Sequence, residues 1–185
     1  IQEKITPKTR AIIPVHFAGH PCDMDPIMEL AQKHKLFIIE DAAHALETKY
    51  KGRKIGSLGN PTAFSFYANK NITTGEGGML TTNDESLDEM VRVLRLHGLS
   101  RDAWKRFGEN GFSQWELKLP GFKYNMADIN AALGIHQLKK IGHFLTIRKK
   151  YAAMYDEVFR QIPELEILET RGYAEPSHHL YIIAL

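Results

Sequence analysis

Apolar and polar residues fall into blocks along this chain, and the blocks follow a strand, helix, strand order. Residues 11–17 (AIIPVHF) form an apolar run that suits a strand buried on both faces. Pro14 has no amide proton to give a ladder, so that strand is expected at a sheet edge or kinked. Asp25 followed by Pro26 predicts a helix cap and first turn, and Ile27, Leu30, Ala31 and His34 then share one face. Residues 36–40 (LFIIE) predict the next buried strand. A short helix between two strands implies a right-handed crossover and parallel pairing. Asp41 then stands at the carboxyl end of its strand, the side on which open α/β sheets form pockets.

The middle of the chain is more broken. Residues 45–60 are polar, with Gly52, Gly56 and Gly59, and predict short hairpin pieces. Two further strands are expected at 63–67 and 78–82, flanking a turn that contains Lys70. Asn83-Asp84-Glu85 places a cap and acidic residues at a helix start, with Leu87, Met90, Val91 and Leu94 as its apolar stripe and Gly98 as its close. Residues 99–120 show no period and include Trp104, Phe107, Phe112 and Trp115; a loop this long in a compact domain is usually functional, disordered or part of a partner contact. Asn125 predicts the cap of a helix bearing Met126, Ile129, Leu133, Leu138 and Ile141. A second helix is expected after Gly142, ending at Pro163, with strands at 164–169 and 178–185.

Composition narrows the class without defining it. An apolar fraction of 43% and a charged fraction of 25% are those of a soluble globular protein. A formal charge of +2 provides no basic footprint for nucleic acid and no polybasic membrane anchor. The single cysteine, Cys22, excludes an internal disulfide framework, and a reducing cytoplasm is the expected compartment. The chain opens on Ile1 and stops within the apolar run 179–185, so an interior piece of a longer protein is expected.

The chemistry centres on the stretch Phe64-Ser65-Phe66-Tyr67-Ala68-Asn69-Lys70 and the glycine-rich turn after it. A lysine held at a strand end in a half-buried pocket is suited to forming a Schiff base with an aldehyde. The matching cofactor is pyridoxal 5′-phosphate, whose ring nitrogen needs an acidic partner. Asp41 is the candidate for that partner, and Ser65 or the amides of residues 74–78 could serve the phosphate. Each also has a plainer reading: Asp41 as a turn cap, Ser65 as a core serine, and Asn125 as a helix cap.

Glu40-Asp41-Ala42-Ala43-His44-Ala45 and the run from Ser65 to Gly78 resemble the paired motifs of the DegT/DnrJ/EryC1/StrS family of sugar aminotransferases. The resemblance extends through Pro14-Val15-His16-Phe17-Ala18-Gly19, His97-Gly98-Leu99, Gly121-Phe122-Lys123-Tyr124-Asn125-Met126 and His179-Leu180-Tyr181, nearly the whole chain. It implies an α/β, three-layer αβα, mainly parallel fold of the aspartate-aminotransferase-like type with a small α+β C-terminal domain. In those terms 1–124 belongs to the cofactor-binding large domain, 125–162 to connecting helices, and 163–185 to the start of the small domain. Lys70 matches the Schiff-base lysine, Asp41 the partner of the ring nitrogen, and Ser65 a phosphate ligand. His44 falls near the ring hydroxyl and Ala43 beneath the ring. Asn125 falls in a segment that reaches a neighbouring subunit's phosphate site, implying a homodimer with composite sites.

The resemblance further implies amino transfer, with glutamate as donor and a nucleotide-linked keto sugar as acceptor. It places a second phosphate-binding turn and a ring-stacking aromatic upstream of Ile1. Glu47 stands where the family often has glycine, and Asn69 where it often has a small hydroxyl residue. Three rivals stay open: a sugar dehydratase of the same fold, against which Lys70 argues; a non-catalytic module that keeps the cofactor fold; and a metal site at His16, His20, Cys22 and Asp23, whose spacing fits no common zinc pattern.

Overall fold

The computed structural model describes residues 1–99 and 116–185, so the aromatic positions Trp104, Phe107, Phe112 and Trp115 lie outside the described residues. Two compact units are present, one formed by Ile1–Thr81 with Asp128–Leu185, the other by Thr82–Ala127.

In the first unit, β1 (Ala11–Ile12) pairs in parallel with β2 (Phe37–Ile38), across the helix α1 (Met24–His34). The ladder continues past β2: the amides of Ile39 and Asp41 donate to the carbonyls of Ile12 and Pro14 at 3.1 and 2.9 Å, and His16 returns a bond to Asp41 at 3.0 Å. β3 (Glu40–Asp41) pairs in parallel with β6 (Thr62–Ser65), which pairs antiparallel with β7 (Gly78–Thr81). Between them lies the expected hairpin, β4 (Lys49–Tyr50) with β5 (Arg53–Lys54). Pro14 sits on the outermost of these strands among the described residues, as its missing donor requires.

Among the described residues the apolar core lies on one face of this sheet. Ile12, Ile38, Met24, Ala31, Ala45, Tyr50 and Ile55 form the core against α1. Ile13, Val15, Phe17, Phe37 and Ile39 are exposed. The expectation of an 11–17 strand buried on both faces is therefore corrected: Ile12 is buried while Ile13, Val15 and Phe17 face outward.

α1 begins two residues earlier than Asp25 and Pro26 suggest. Its N-terminal residue Asp23 makes no side-chain cap; instead the Tyr50 hydroxyl accepts from the Asp25 amide at 3.1 Å and donates to Asp23 Oδ1 at 2.7 Å. Pro26 is tolerated because amides of the first helical turn have no intrahelical acceptor to lose.

A larger difference concerns the pair of helices expected on either side of Gly142. One helix, α3 (Asp128–Phe159), runs through both glycines, Gly134 and Gly142. A helical glycine costs only about 1 kcal/mol relative to alanine, which 32 residues of helix readily outweigh. Asn125 does not cap α3; it lies in the second unit and its side-chain oxygen accepts from Lys123 Nζ.

α3 holds the two ends of the first unit. Near its start, Asn130 donates to the Glu76 carbonyl at 3.0 Å and Gln137 accepts from the Thr73 amide at 3.4 Å. Further along, Arg148 donates to the carbonyls of His178 and His179 at 3.2 and 3.1 Å. The expected late strands are β8 (Glu166–Ile167) and β10 (Ile183–Ala184), paired antiparallel. An unforeseen strand, β9 (Ala174–Glu175), adds to the free side of β4. In the second unit, α2 (Glu85–Leu94) is capped by Asp84, whose Oδ1 accepts from the Leu87 amide at 3.0 Å.

Candidate active site

Asp41 ends β3 on the open face of the sheet, and parallel register sets it beside Ala63. Side chains two apart share a face, so Ser65 follows on that same surface. The Asp41 carboxylate is fixed through one oxygen, Oδ1, which accepts from the Ala43 amide at 3.0 Å. Its other oxygen has no hydrogen-bond partner among the described residues. The Ser65 hydroxyl accepts from the Tyr67 amide at 3.3 Å, leaving its own proton to donate. The opposite face buries Glu40 and Thr62 completely.

Lys70 stands in the turn beyond β6, its amide bonded to the Tyr67 carbonyl at 3.0 Å. Its ammonium end makes no hydrogen bond or ion pair among the described residues. The turn behind it is tightly anchored: Asn71, Ile72 and Thr74 are buried, Thr74 bonds back to the Phe66 carbonyl, and Phe66 bonds to that of Gly77. A half-buried lysine on so fixed a backbone presents its amine from one place.

His44 ties these groups together. Burial holds its pKa below the ordinary histidine value; the Lys70 charge pushes in the same direction, and the Asp41 charge opposes it. Both charges therefore lie close enough to His44 to act on one ring. Structure thus brings Asp41, Ala43, His44, Ser65 and Lys70 to one end of one sheet. Asn125 lies in the other unit.

Three residues absent from the sequence-derived site also meet here. His179 lies against His44 with ring centroids 4.4 Å apart, and its Nδ1 is 3.1 Å from Asn71 Oδ1. Ser177 is fully buried, donating to the His44 carbonyl at 3.2 Å. The residues from 177 to 180 are remote from Lys70 in sequence, and only the His179-Leu180-Tyr181 motif hinted at their importance.

Glu47, in the position where glycine is often found, adopts φ +68°. That left-handed conformation is the reason a glycine suits the site; here a 2.9 Å ion pair with Lys54 accompanies the strained turn. The groups considered for a metal are committed elsewhere. His16 accepts the Cys22 amide at Nδ1 (3.1 Å) and meets Glu40 through Nε2 (2.9 Å), while the Cys22 thiol donates to the Val15 carbonyl. Among the described residues no group of three or more His, Cys, Asp or Glu side chains is arranged to hold a metal ion.

Burial also gives the site a pH signature. His179 is pushed down to about 4 by burial first, then by the charges of His44, Lys70 and Arg148. An unfolded histidine takes up a proton near pH 6.5, whereas the folded one resists until about 4. Folding stability attributable to this ring is therefore complete above pH 6.5, falls as pH drops toward 4, and levels off below. The loss amounts to about 3 kcal/mol. Thermal unfolding of the intact protein between pH 7 and 4 should show this decline, and His179→Phe should flatten it.

An α/β sheet with a lysine-bearing turn beside a carboxylate and a histidine at its strand ends defines the class, an aspartate-aminotransferase-like fold. The chain matches the profile of the DegT/DnrJ/EryC1/StrS aminotransferase family over residues 1–185 and belongs to that family. It is 50% identical over 183 residues to the spore coat polysaccharide biosynthesis protein SpsC of Bacillus subtilis, covering 99% of this chain and 47% of SpsC. It is similar in structure to Helicobacter pylori PseC, an aminotransferase involved in the biosynthesis of pseudoaminic acid, with TM-score 0.89, 34% identity, and coverage of 99% of this chain and 47% of PseC. The PLP form of the Streptococcus pneumoniae sugar aminotransferase Spr1654 gives TM-score 0.86 at 34% identity, covering 98% of this chain and 49% of that one. The chain spans about half the length of the curated relatives it matches.

Proposed function

We propose that the protein containing this chain is a pyridoxal 5′-phosphate-dependent aminotransferase that passes an amino group, from glutamate, to a nucleotide-linked keto sugar in amino-sugar or surface-polysaccharide biosynthesis. The observation that carries this reading is the parallel register that sets Asp41 beside Ala63, two residues before Ser65, with the anchored Lys70 turn continuing from the same strand. Its context, an aminotransferase-family chain similar to SpsC and PseC, supports the sugar class of acceptor.

The residues fit the cofactor by their chemistry. Among the described residues Lys70 has an uncommitted amine, Asp41 a carboxylate oxygen without a donor, and Ser65 a hydroxyl proton without an acceptor, which suit a covalent link, a ring N–H and a phosphate oxygen. Ala43 and Ala63 carry only methyl side chains, which suits a flat ring beside Asp41. When bound, pyridoxal 5′-phosphate supplies an aldehyde carbon and an electron-withdrawing ring. Asp41 would keep the ring nitrogen protonated, and its fixed geometry would orient that charge without reorganisation. Lys70 would hold the cofactor and, once released by the amino donor, its neutral amine would accept the proton from the carbon bearing the donor's nitrogen, pass it to the cofactor side, and return one to the acceptor carbon in the second half of the cycle. His44 would donate toward the ring oxygen.

The same reading makes residues 1–124 part of the large cofactor-binding domain, 125–162 a connection, and 163–185 the start of a small domain. It also makes the working form a homodimer in which the segment around Asn125 serves the neighbouring site. A nucleotide-linked substrate and the free thiol of Cys22 favour a reducing cytoplasm. Among the described residues no helix is long and apolar enough to cross a membrane.

The test is a coupled assay of the intact protein with glutamate against a panel of nucleotide-linked keto sugars. Formation of 2-oxoglutarate with an aminated sugar is expected. A deoxygenated product without nitrogen would make the protein a dehydratase, and no product across the panel would favour a binding module.

A further inference from the structure

We propose that His179 is a positioning residue which, with the Ala18 amide, holds the His44 ring in one orientation and one tautomer, its proton on Nε2. His44 then faces the cofactor only as a hydrogen-bond donor. The part of this statement that concerns the cofactor rests on the function proposed above.

The tautomer follows from the hydrogen bonds. The Ala18 amide donates to His44 Nδ1 at 3.3 Å, so Nδ1 carries the lone pair and the neutral ring's proton lies on Nε2. That amide is aimed by an unusual turn: Ala18 adopts φ +59°, ψ 7°, and Gly19 follows at φ +85°. A non-glycine residue in this region is strained and persists only where its surroundings hold it. Here the holding group is the segment of residues 177–180. Ser177 donates its amide to the Gly19 carbonyl at 3.0 Å, and Leu180 donates to that of Ala18 at 3.3 Å. Thr48 donates to the Gly19 carbonyl at 2.8 Å. A methyl group on Gly19 would lie 2.5 Å from Ser177 Oγ, so the two backbones meet as closely as glycine permits.

His179 is itself fixed in the opposite tautomer. Asn71 gives its amide nitrogen to the Leu46 carbonyl at 3.2 Å, which turns Oδ1 toward His179. Nδ1 of His179 must then be the donor in the 3.1 Å contact. Arg148 grips the carbonyls of the two peptides that flank this residue. The result is a rigid ring only 7% exposed, inclined 37° to His44 at 4.4 Å. Burial and the Lys70 charge lower the pKa of both rings, which disfavours two positive charges side by side. Asn71 follows Lys70 directly, and the same clamp thereby fixes the backbone that presents the reactive amine.

Imidazole nitrogen-15 spectra of the intact, cofactor-free protein test this directly. His44 should show a protonated Nε2 with a bare Nδ1, and His179 the reverse. In His179→Leu, which fills the volume without a ring, His44 should become a mixture of tautomers, and kcat should fall about tenfold with the KM for glutamate unchanged. His179→Phe, which restores an aromatic face, should return His44 to a single form and recover most of kcat. A wild-type His44 protonated at Nδ1 would overturn the proposal whatever the variants do, as would an unaltered His44 spectrum in folded His179→Leu. If the clamp passes but added pyridoxal 5′-phosphate leaves the His44 Nε2 resonance unmoved, the positioning stands and the cofactor reading fails.

Discussion

Replacing Lys70 by alanine in the intact protein is expected to lower amino transfer by about 10⁴-fold or more, since under the proposed function one change removes both the covalent attachment point and the general base. Lys70→Arg should be nearly as damaging, because a guanidinium keeps the charge but is not a nucleophile at neutral pH. The variant should still fold. The Lys70 ammonium makes no hydrogen bond or ion pair among the described residues, and the turn is anchored through Asn71, Ile72 and Thr74. A second readout needs no substrate: the Lys70 charge depresses the His44 pKa, so Lys70→Ala should raise it. Turnover that survives in Lys70→Ala would remove this residue from the chemistry.

Asp41→Asn should have the next largest effect. The change preserves size and can keep the bond from the Ala43 amide, but it removes the charge that the proposed function assigns to keeping a ring nitrogen protonated. Loss of one member of a desolvated charge pair costs about 3–5 kcal/mol, which lowers kcat between roughly a hundredfold and several thousandfold. The His44 titration should now move the other way. Asp41 raises the His44 pKa, so neutralising it lowers that pKa further. Opposite displacements of one ring by two substitutions would follow directly from both charges acting on it. If either variant left the His44 titration in place, its side chain would not belong to this site.

How much of this was legible beforehand depended on the range of the interaction involved. Pro14 announced an edge strand because a missing donor is a property of the residue alone. The parallel pairing of 11–12 with 37–38 followed from the short helix between them, and the Asp84 cap from its place before an apolar stripe. Gly142 misled because a local propensity of about 1 kcal/mol was weighed against an uninterrupted helix on both sides. The α1 boundary was missed for a different reason: its cap is the hydroxyl of Tyr50, more than twenty residues away.

The site shows the same division. Asp41, Ser65 and Lys70 stood out because strand ends and a glycine-rich turn are local signals. His179 did not, since its meaning lies in contacts with His44 and Asn71 across more than one hundred residues of sequence. β9 was hidden likewise, a two-residue strand defined by the hairpin it joins. Glu47 was noticed as a departure from glycine, and φ +68° gives that departure its physical content.

The central claim is that the amine of Lys70 bonds covalently to the cofactor. The intact protein, loaded with pyridoxal 5′-phosphate, is reduced with borohydride, digested, and its peptides are weighed and sequenced by mass spectrometry. The account predicts the reduced cofactor's mass on Lys70 and its loss in Lys70→Ala. A label on another lysine, or none on a protein that still turns over, would contradict it.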